Sequence, residues 1–199
     1  MNPSQPAVAA AAGARTMKAA TNRRFGGPDV VRVEEIAQPA PRAGEVLIRV
    51  MASTVSVADH RVRSRNVPKG LGALTALTLG LFRPRTRVLG MDVAGVVESI
   101  SPGVTAFRAG DEVIAMLGAG FGGHAEYVSV PANGPIAAKP RNMGFEEAVT
   151  LLFGGLTAKT FLGMAAIKTG DTVLINGASG AVGTAAIQLA KHLGATSPL

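Results

Sequence analysis

Thr172-Val173-Leu174-Ile175-Asn176-Gly177-Ala178-Ser179-Gly180-Ala181-Val182-Gly183 is the stretch on which the fold turns. Residues 172–175 form a continuous apolar and β-branched run of the kind buried parallel strands carry. The run leads straight into a glycine-rich turn. Beyond it, Val182, Ala186, Leu189 and Leu193 fall on one face of a helix that Gly194 ends. Strand 172–176, turn and helix in that order predict the first half of a dinucleotide-binding α/β unit. In such a unit Gly180 lets the backbone approach a pyrophosphate, Gly183 lets the helix pack closely on the strand, and free helix N–H groups meet the anion. Ala178, Ser179, Ala181 and Val182 complete the set of candidate cofactor-binding residues on this turn. The competing reading is a helix-packing turn that binds no nucleotide. The spacing alone does not separate the two, because it reads both as Gly-x-x-Gly-x-x-Gly from Gly177 and as Ala-x-Gly-x-x-Gly from Ala178. Short-chain reductases place the first pattern at the very start of the chain, whereas here residues 1–171 precede the strand.

Those preceding residues have a different texture. Residues 31–36 alternate, 44–51 are β-branched after a Pro/Gly turn, and 88–100 are apolar up to the turn Ser101-Pro102-Gly103. Runs at 111–116 and 125–130 complete a set of short strands, with Gly and Pro between them, which predicts an antiparallel barrel or sandwich. A stretch at 71–82, flanked by Arg61, Arg63, Arg65 and Lys69 on one side and Arg83, Arg85 and Arg87 on the other, interrupts the pattern. It is too short for a membrane span, which needs about 20 residues. An interfacial helix with basic flanks is one reading. The simpler one is a short helix in a long loop, with Leu71, Leu74, Leu77 and Leu81 packed inward over the barrel's open side. From residue 142 the pattern becomes helical: Phe145-Glu146-Glu147-Ala148-Val149 starts a helix with acidic residues in its first turn. Gly154-Gly155 should kink or break it, a second helix runs toward Ala166, and Lys168-Thr169-Gly170-Asp171 turns into the strand.

Composition narrows the function classes. The 199 residues are 47% hydrophobic and hold no Cys, which excludes disulfides, cysteine-based zinc lobes, iron–sulfur ligation and thiol nucleophiles, and suits the cytoplasm. A net charge of +7 raises nucleic acid as a partner. The excess is mostly Arg spread along the chain, no DNA- or RNA-binding signature accompanies it, and 4% aromatics leave little for base stacking, so nucleic acid is set aside. Residues 1–16 are predicted to be a disordered Ala-rich extension before a natural beginning at Met17. They are not a secretory signal, because Arg15 follows the apolar run instead of preceding it.

Several ordered motifs now agree: Met17-Lys18-Ala19, Phe25-Gly26-Gly27-Pro28-Asp29-Val30, Leu89-Gly90-Met91-Asp92-Val93-Ala94-Gly95-Val96-Val97, Phe107-Arg108-Ala109-Gly110-Asp111-Glu112-Val113, Gly155-Leu156-Thr157-Ala158 and the turn 176–183. From Met17 to Ala195 the chain resembles the zinc-free medium-chain dehydrogenases/reductases, in their quinone oxidoreductase and alcohol-dehydrogenase-like branch. The resemblance implies an α/β chain overall: a β-rich GroES-like barrel over 17–140 as substrate domain, connecting helices over 141–170, and over 171–199 the first strand-turn-helix of an incomplete Rossmann fold. It implies an NAD(P)H-dependent reductase passing hydride to a quinone or a conjugated carbonyl, with NADP favoured over NAD, and a homodimer in full-length relatives.

Zinc-using relatives place a Cys where this chain has Ser56 and a His-Glu pair where it has Met91-Asp92, so no metal is expected. The zinc-free pattern Asn-x-x-Asp survives as Ser56-Val57-Ala58-Asp59, and the Tyr many quinone reductases carry two residues later is Arg61. Ser56, Asp59 and Arg61 are therefore the catalytic candidates: Ser56 or Arg61, or a water, as donor to a substrate oxygen, and Asp59 as an orienting residue. Thr157 aligns with a residue near the cofactor in the family. His60 is the only histidine near the expected site and reads as a solvated loop residue; His124 and His192 read as surface positions. Ser197-Pro198-Leu199 reads as a truncation end, and the alternative function is an inactive remnant that binds weakly at most.

Overall fold

The computed structural model describes residues 15–66 and 78–196. The N-terminal extension, most of the 71–82 stretch and the last three residues, with the expectations placed on them, lie outside these ranges.

The antiparallel reading holds for the first two thirds. β1 (Thr16–Asn22) and β2 (Val31–Ala37) pair along their whole length. A five-stranded sheet has the order β6-β3-β4-β5-β7, built from β3 (Glu45–Ser53), β4 (Asp92–Ile100), β5 (Glu112–Met116), β6 (Tyr127–Pro131) and β7 (Ile136–Ala138), with every pairing antiparallel. Single bridges from Ala19 to Ala125 and from Thr21 to Val88 dock the β1–β2 ribbon on this sheet. The alternation in the sequence becomes the core: Val46, Ile48, Val93, Val97 and Val113 are at or below 1% exposed and pack with Ala115, Val128 and Val130. Each such side chain contributes about 1.5–3 kcal/mol by leaving water.

The other face of β4 is also covered. Ala94 packs against Val149 and Leu152, so β4 lies between the sheet's core and the helical segment that follows it. Because side chains alternate along a strand, Asp92 shares this second face with Ala94. α2 (Phe145–Thr150) and α3 (Leu156–Met164) are joined through one wide helical turn, Leu151–Gly155, in which the Leu156 N–H reaches back to Leu151 O. The chain thus stays helical through Gly154-Gly155. A Cβ at Gly154 would lie 2.9 Å from Ala181 O, so only glycine lets the wide turn touch the start of the last helix. Buried Lys139 ties the sheet to α2. Its Nζ donates to Met143 O (2.6 Å) and Pro140 O (3.0 Å), pairs with Glu112 (3.1 Å) and lies 5.2 Å from the centre of the Phe145 ring.

Several details depart from the sequence reading. α1 (Val57–Ser64) was not foreseen, and β4 starts at Asp92 instead of Val88, because Gly90 at φ +93° turns the chain between them. Residues 172–175 form no ladder among the described residues. Thr172 makes one parallel bridge to Thr196, and Leu174 is 83% exposed, since no described residue covers that side. Leu81 faces outward while its carbonyl accepts from the Arg65 guanidinium at 2.6 Å. α4 (Ala181–His192) follows the glycine-rich turn as expected, with Ala186 and Ala190 packed on Ala158 and Leu162 of α3. No helix among the described residues is long and apolar enough to cross a membrane.

Candidate active site

A cleft of about 1260 Å³ opens between the end of β3, α1, the start of β4, the wide turn after α2, and the glycine-rich turn. Its sheet-side wall comes from residues 51–58, with Arg61, Val62 and Asp92. Its far wall comes from Ile175, Asn176, Gly177, residues 180–183 and Ala186, and Glu146, Val149, Thr150, Phe153 and Gly154 close one end.

The far wall is shaped by its glycines. Gly177 stands at φ +73°, the left-handed region that glycine adopts freely. Gly183 is buried, and a Cβ there would run into Gly177 O and lie 2.7 Å from Ala178 Cα, so its smallness sets the distance between helix and turn. At Gly180 the nearest atom to an added Cβ is Gly177 O at 3.4 Å, leaving the outer side of the turn open. No side chain caps α4 at Gly180, and no acidic residue sits in its first turn. The N-terminal N–H groups therefore carry an uncompensated partial positive charge toward the cleft, the arrangement that suits a phosphate.

The sheet-side wall is shaped by a reciprocal helix cap. Ser56 caps α1: its hydroxyl oxygen accepts from the Ala58 N–H at 3.2 Å, while Asp59 Oδ2 accepts from the Ser56 N–H at 2.7 Å and from the Ser56 hydroxyl at 2.9 Å. Asp59 is buried and its other oxygen accepts from the Gly90 N–H at 2.8 Å, so this carboxylate ties α1 to the loop before β4. The Ser56 proton is thereby committed to Asp59. What Ser56 still offers the cleft is one lone pair, which suits an amide donor better than a carbonyl. Arg61 is exposed at the rim, and its side chain makes no hydrogen bond or ion pair among the described residues.

Of the residues singled out from the sequence, Ser56, Arg61, Gly180, Ala181, Val182 and Gly183 line this one cleft. Asp59 lies behind its wall, Ala178 and Ser179 sit on the turn outside the lining, and Thr157 is half-buried on α3 away from it. Phe153, one turn earlier, and Thr150, two turns earlier, face the cleft instead. His60 is exposed, 3.3 Å from an Arg63 nitrogen, and His192 is exposed in the last turn of α4. His124 is half-buried instead of superficial, with Nε2 3.0 Å from Thr54 O, where it braces the cleft wall from behind. Asp92, which the sequence offered only as a zinc-ligand replacement, also lines the cleft. Its carboxyl is pushed above the usual carboxylate range by burial, with the nearby Asp59 charge adding to this and the Thr54 hydroxyl opposing it. Among the described residues no group of three or more His, Cys, Asp or Glu side chains could hold a metal ion.

The family model of the alcohol dehydrogenase GroES-like domain matches residues 42–141, half of the chain. The chain belongs to that family. The curated relatives it matches include oxidoreductases. The quinone oxidoreductase of Sus scrofa is 34% identical over 186 residues, 92% of this chain and 52% of the relative. The chloroplastic NADPH-dependent alkenal/one oxidoreductase of Arabidopsis thaliana is 32% identical over 191 residues, 90% of this chain and 45% of the relative. The solved quinone oxidoreductase of Coxiella burnetii superposes with a TM-score of 0.78 at 32% identity, over 92% of this chain and 56% of that one. This GroES-like family member thus spans about half the length of the curated relatives it matches.

Proposed function

We propose that the chain serves an NAD(P)H-dependent reductase that passes hydride to quinones or enones. The observation that carries the reading is the cleft itself. It sets an uncapped helix N-terminus on a glycine turn across from a wall that mixes apolar side chains (Met51, Val55, Val57) with a few polar ones (Thr54, Ser56, Asp92). The open outer side of Gly180 and the bare first turn of α4 fit the pyrophosphate of a dinucleotide. Ser56, with one acceptor position left, would take an amide N–H such as that of the nicotinamide. When bound, the nicotinamide supplies the hydride, and the protein's share is orientation and exclusion of water. Phe153 and Val182 add apolar surface to the cleft that suits a flat apolar substrate. NADP is favoured over NAD because one relative is named NADPH-dependent, and a cytoplasmic site of action is proposed on the Cys-free composition. The test is oxidation of NADPH by 1,4-naphthoquinone or 2-cyclohexenone in the presence of the chain, together with NADPH binding. Binding that leaves the turn 177–183 undisturbed would contradict the reading.

A further inference from the structure

Two carboxyl groups belong to the sheet-side wall, Asp59 behind it and Asp92 in its lining, and the structure provides for them unequally. Asp59 accepts three hydrogen bonds, two of them from backbone N–H groups. Asp92 is 1% exposed and accepts one through its side chain, from the Thr54 hydroxyl to Oδ2 at 3.0 Å. Its Oδ1 is fully buried and has no partner. An ionised carboxylate left so is costly, whereas a neutral carboxyl keeps an O–H to give. No described group accepts that hydrogen, and Asp92 lines the cleft. The remaining charged side chains on the cleft are Arg61 from α1 and Glu146 from α2, both exposed, and α4 contributes none.

The donors expected from the sequence fit this task less well. The Ser56 proton is held by Asp59, and Arg61 stands at the exposed rim. We propose that the Asp92 carboxyl is the hydrogen-bond donor to the carbonyl oxygen of the quinone or enone substrate. The proposal rests on the oxidoreductase reading above. As hydride reaches carbon, negative charge develops on that oxygen, and a donor fixed in a dry wall meets it with little rearrangement. A carboxylic acid kept neutral by a poorly solvated site is suited to this work. Thr54 orients it by holding the opposite oxygen.

The test uses the full chain in two arms. In the first, the Asp92 side-chain carbon is followed by NMR through a pH titration, with Asp92→Asn identifying the resonance. The expected result is a neutral carboxyl persisting above the ordinary aspartate range, with Thr54→Val extending it further. An Asp92 that ionises in or below that range overturns the proposal. In the second, the carbonyl stretch of bound cinnamaldehyde is read by Raman difference spectroscopy. It should move to lower frequency in the wild type and, in part, in Asp92→Asn, whose amide still donates, and return to the free value in Asp92→Leu. An unchanged stretch across the three proteins overturns it. Should Asp92→Leu not fold, the Asn variant and the titration arm still decide the question. Failure of the oxidoreductase reading shows separately, as NADPH that leaves the amides of residues 177–183 unmoved.

Discussion

Gly183→Ala probes the contact that fixes helix to turn, and its effect follows from the local geometry. In an exposed helix interior, Gly→Ala is worth roughly 1 kcal/mol of stabilisation through propensity alone. At Gly183 the added Cβ would run into Gly177 O and lie 2.7 and 2.9 Å from Ala178 Cα and C. These are backbone atoms of a tight turn and cannot rotate away, so α4 must move outward by roughly half an ångström or more. Overpacking of that kind costs about 1–3 kcal/mol, which outweighs the propensity gain and leaves a net loss of about 0–2 kcal/mol. The matched control is Gly163→Ala on α3, where nothing lies within 4 Å and the propensity gain should survive. Urea unfolding of wild type and both variants provides the assay. The midpoint should fall for Gly183→Ala and rise or hold for Gly163→Ala, and the first variant should also weaken NADPH binding because the displaced helix carries the phosphate-facing N–H groups. A Gly183→Ala protein as stable as the Gly163→Ala protein would refute the close-packing argument.

Lys139→Met should cost about 1–3 kcal/mol in urea unfolding, because it leaves the Met143 and Pro140 carbonyls without their donor while Phe145 keeps an apolar neighbour. Asp59→Ala should destabilise by a similar amount, about 1–3 kcal/mol, and speed hydrogen exchange at the Gly90 amide, whose N–H it leaves unpaired. Glu45 is held below the usual carboxylate range chiefly by the Arg42 backbone N–H and then by the Ser129 hydroxyl. Its folded form is therefore the more acidic, so its contribution is present above the ordinary Glu range and lost as pH falls through the folded value. Glu45→Gln should flatten that part of an acid-unfolding curve. Elemental analysis of the purified protein should find no stoichiometric zinc, given Ser56 and Met91 at the positions where zinc-using relatives carry ligands.

The sheet was legible because its residues obey a two-residue period. Val46 and Ile48, Val93 and Val97, and Val128 and Val130 each recur on one face, and glycine-bearing turns separate the runs. The turn 177–183 was legible because glycines at those spacings serve backbone proximity, and the close approaches at Gly183 are that proximity. α1 was missed because its one buried residue is the charged Asp59, so no apolar stripe announces it. The Ser56-x-x-Asp59 cap was its only local signal. β7 was missed because three residues, Ile136–Ala138, carry too little pattern to stand out. Asp92 escaped as a candidate because its character arises from what surrounds it. Its burial and the lack of a partner for Oδ1 are properties of the packing, which the run Met91-Asp92-Val93 does not display. The brace at His124 depends on a contact with Thr54 across 70 positions of sequence, beyond the reach of any local pattern.

In the proposed function the cleft between the sheet and the glycine-rich turn takes a nicotinamide dinucleotide, with the pyrophosphate on the N-terminus of α4. Amide NMR spectra of the isotopically labelled chain, recorded as NADPH is titrated in, test it residue by residue even where affinity is weak. The largest shifts are expected at Gly177 and residues 180–183, with a second group at 53–56 and at Thr150 and Phe153 across the cleft. Saturable shifts confined to the basic residues 83–87, or spectra unchanged at millimolar NADPH, would contradict it.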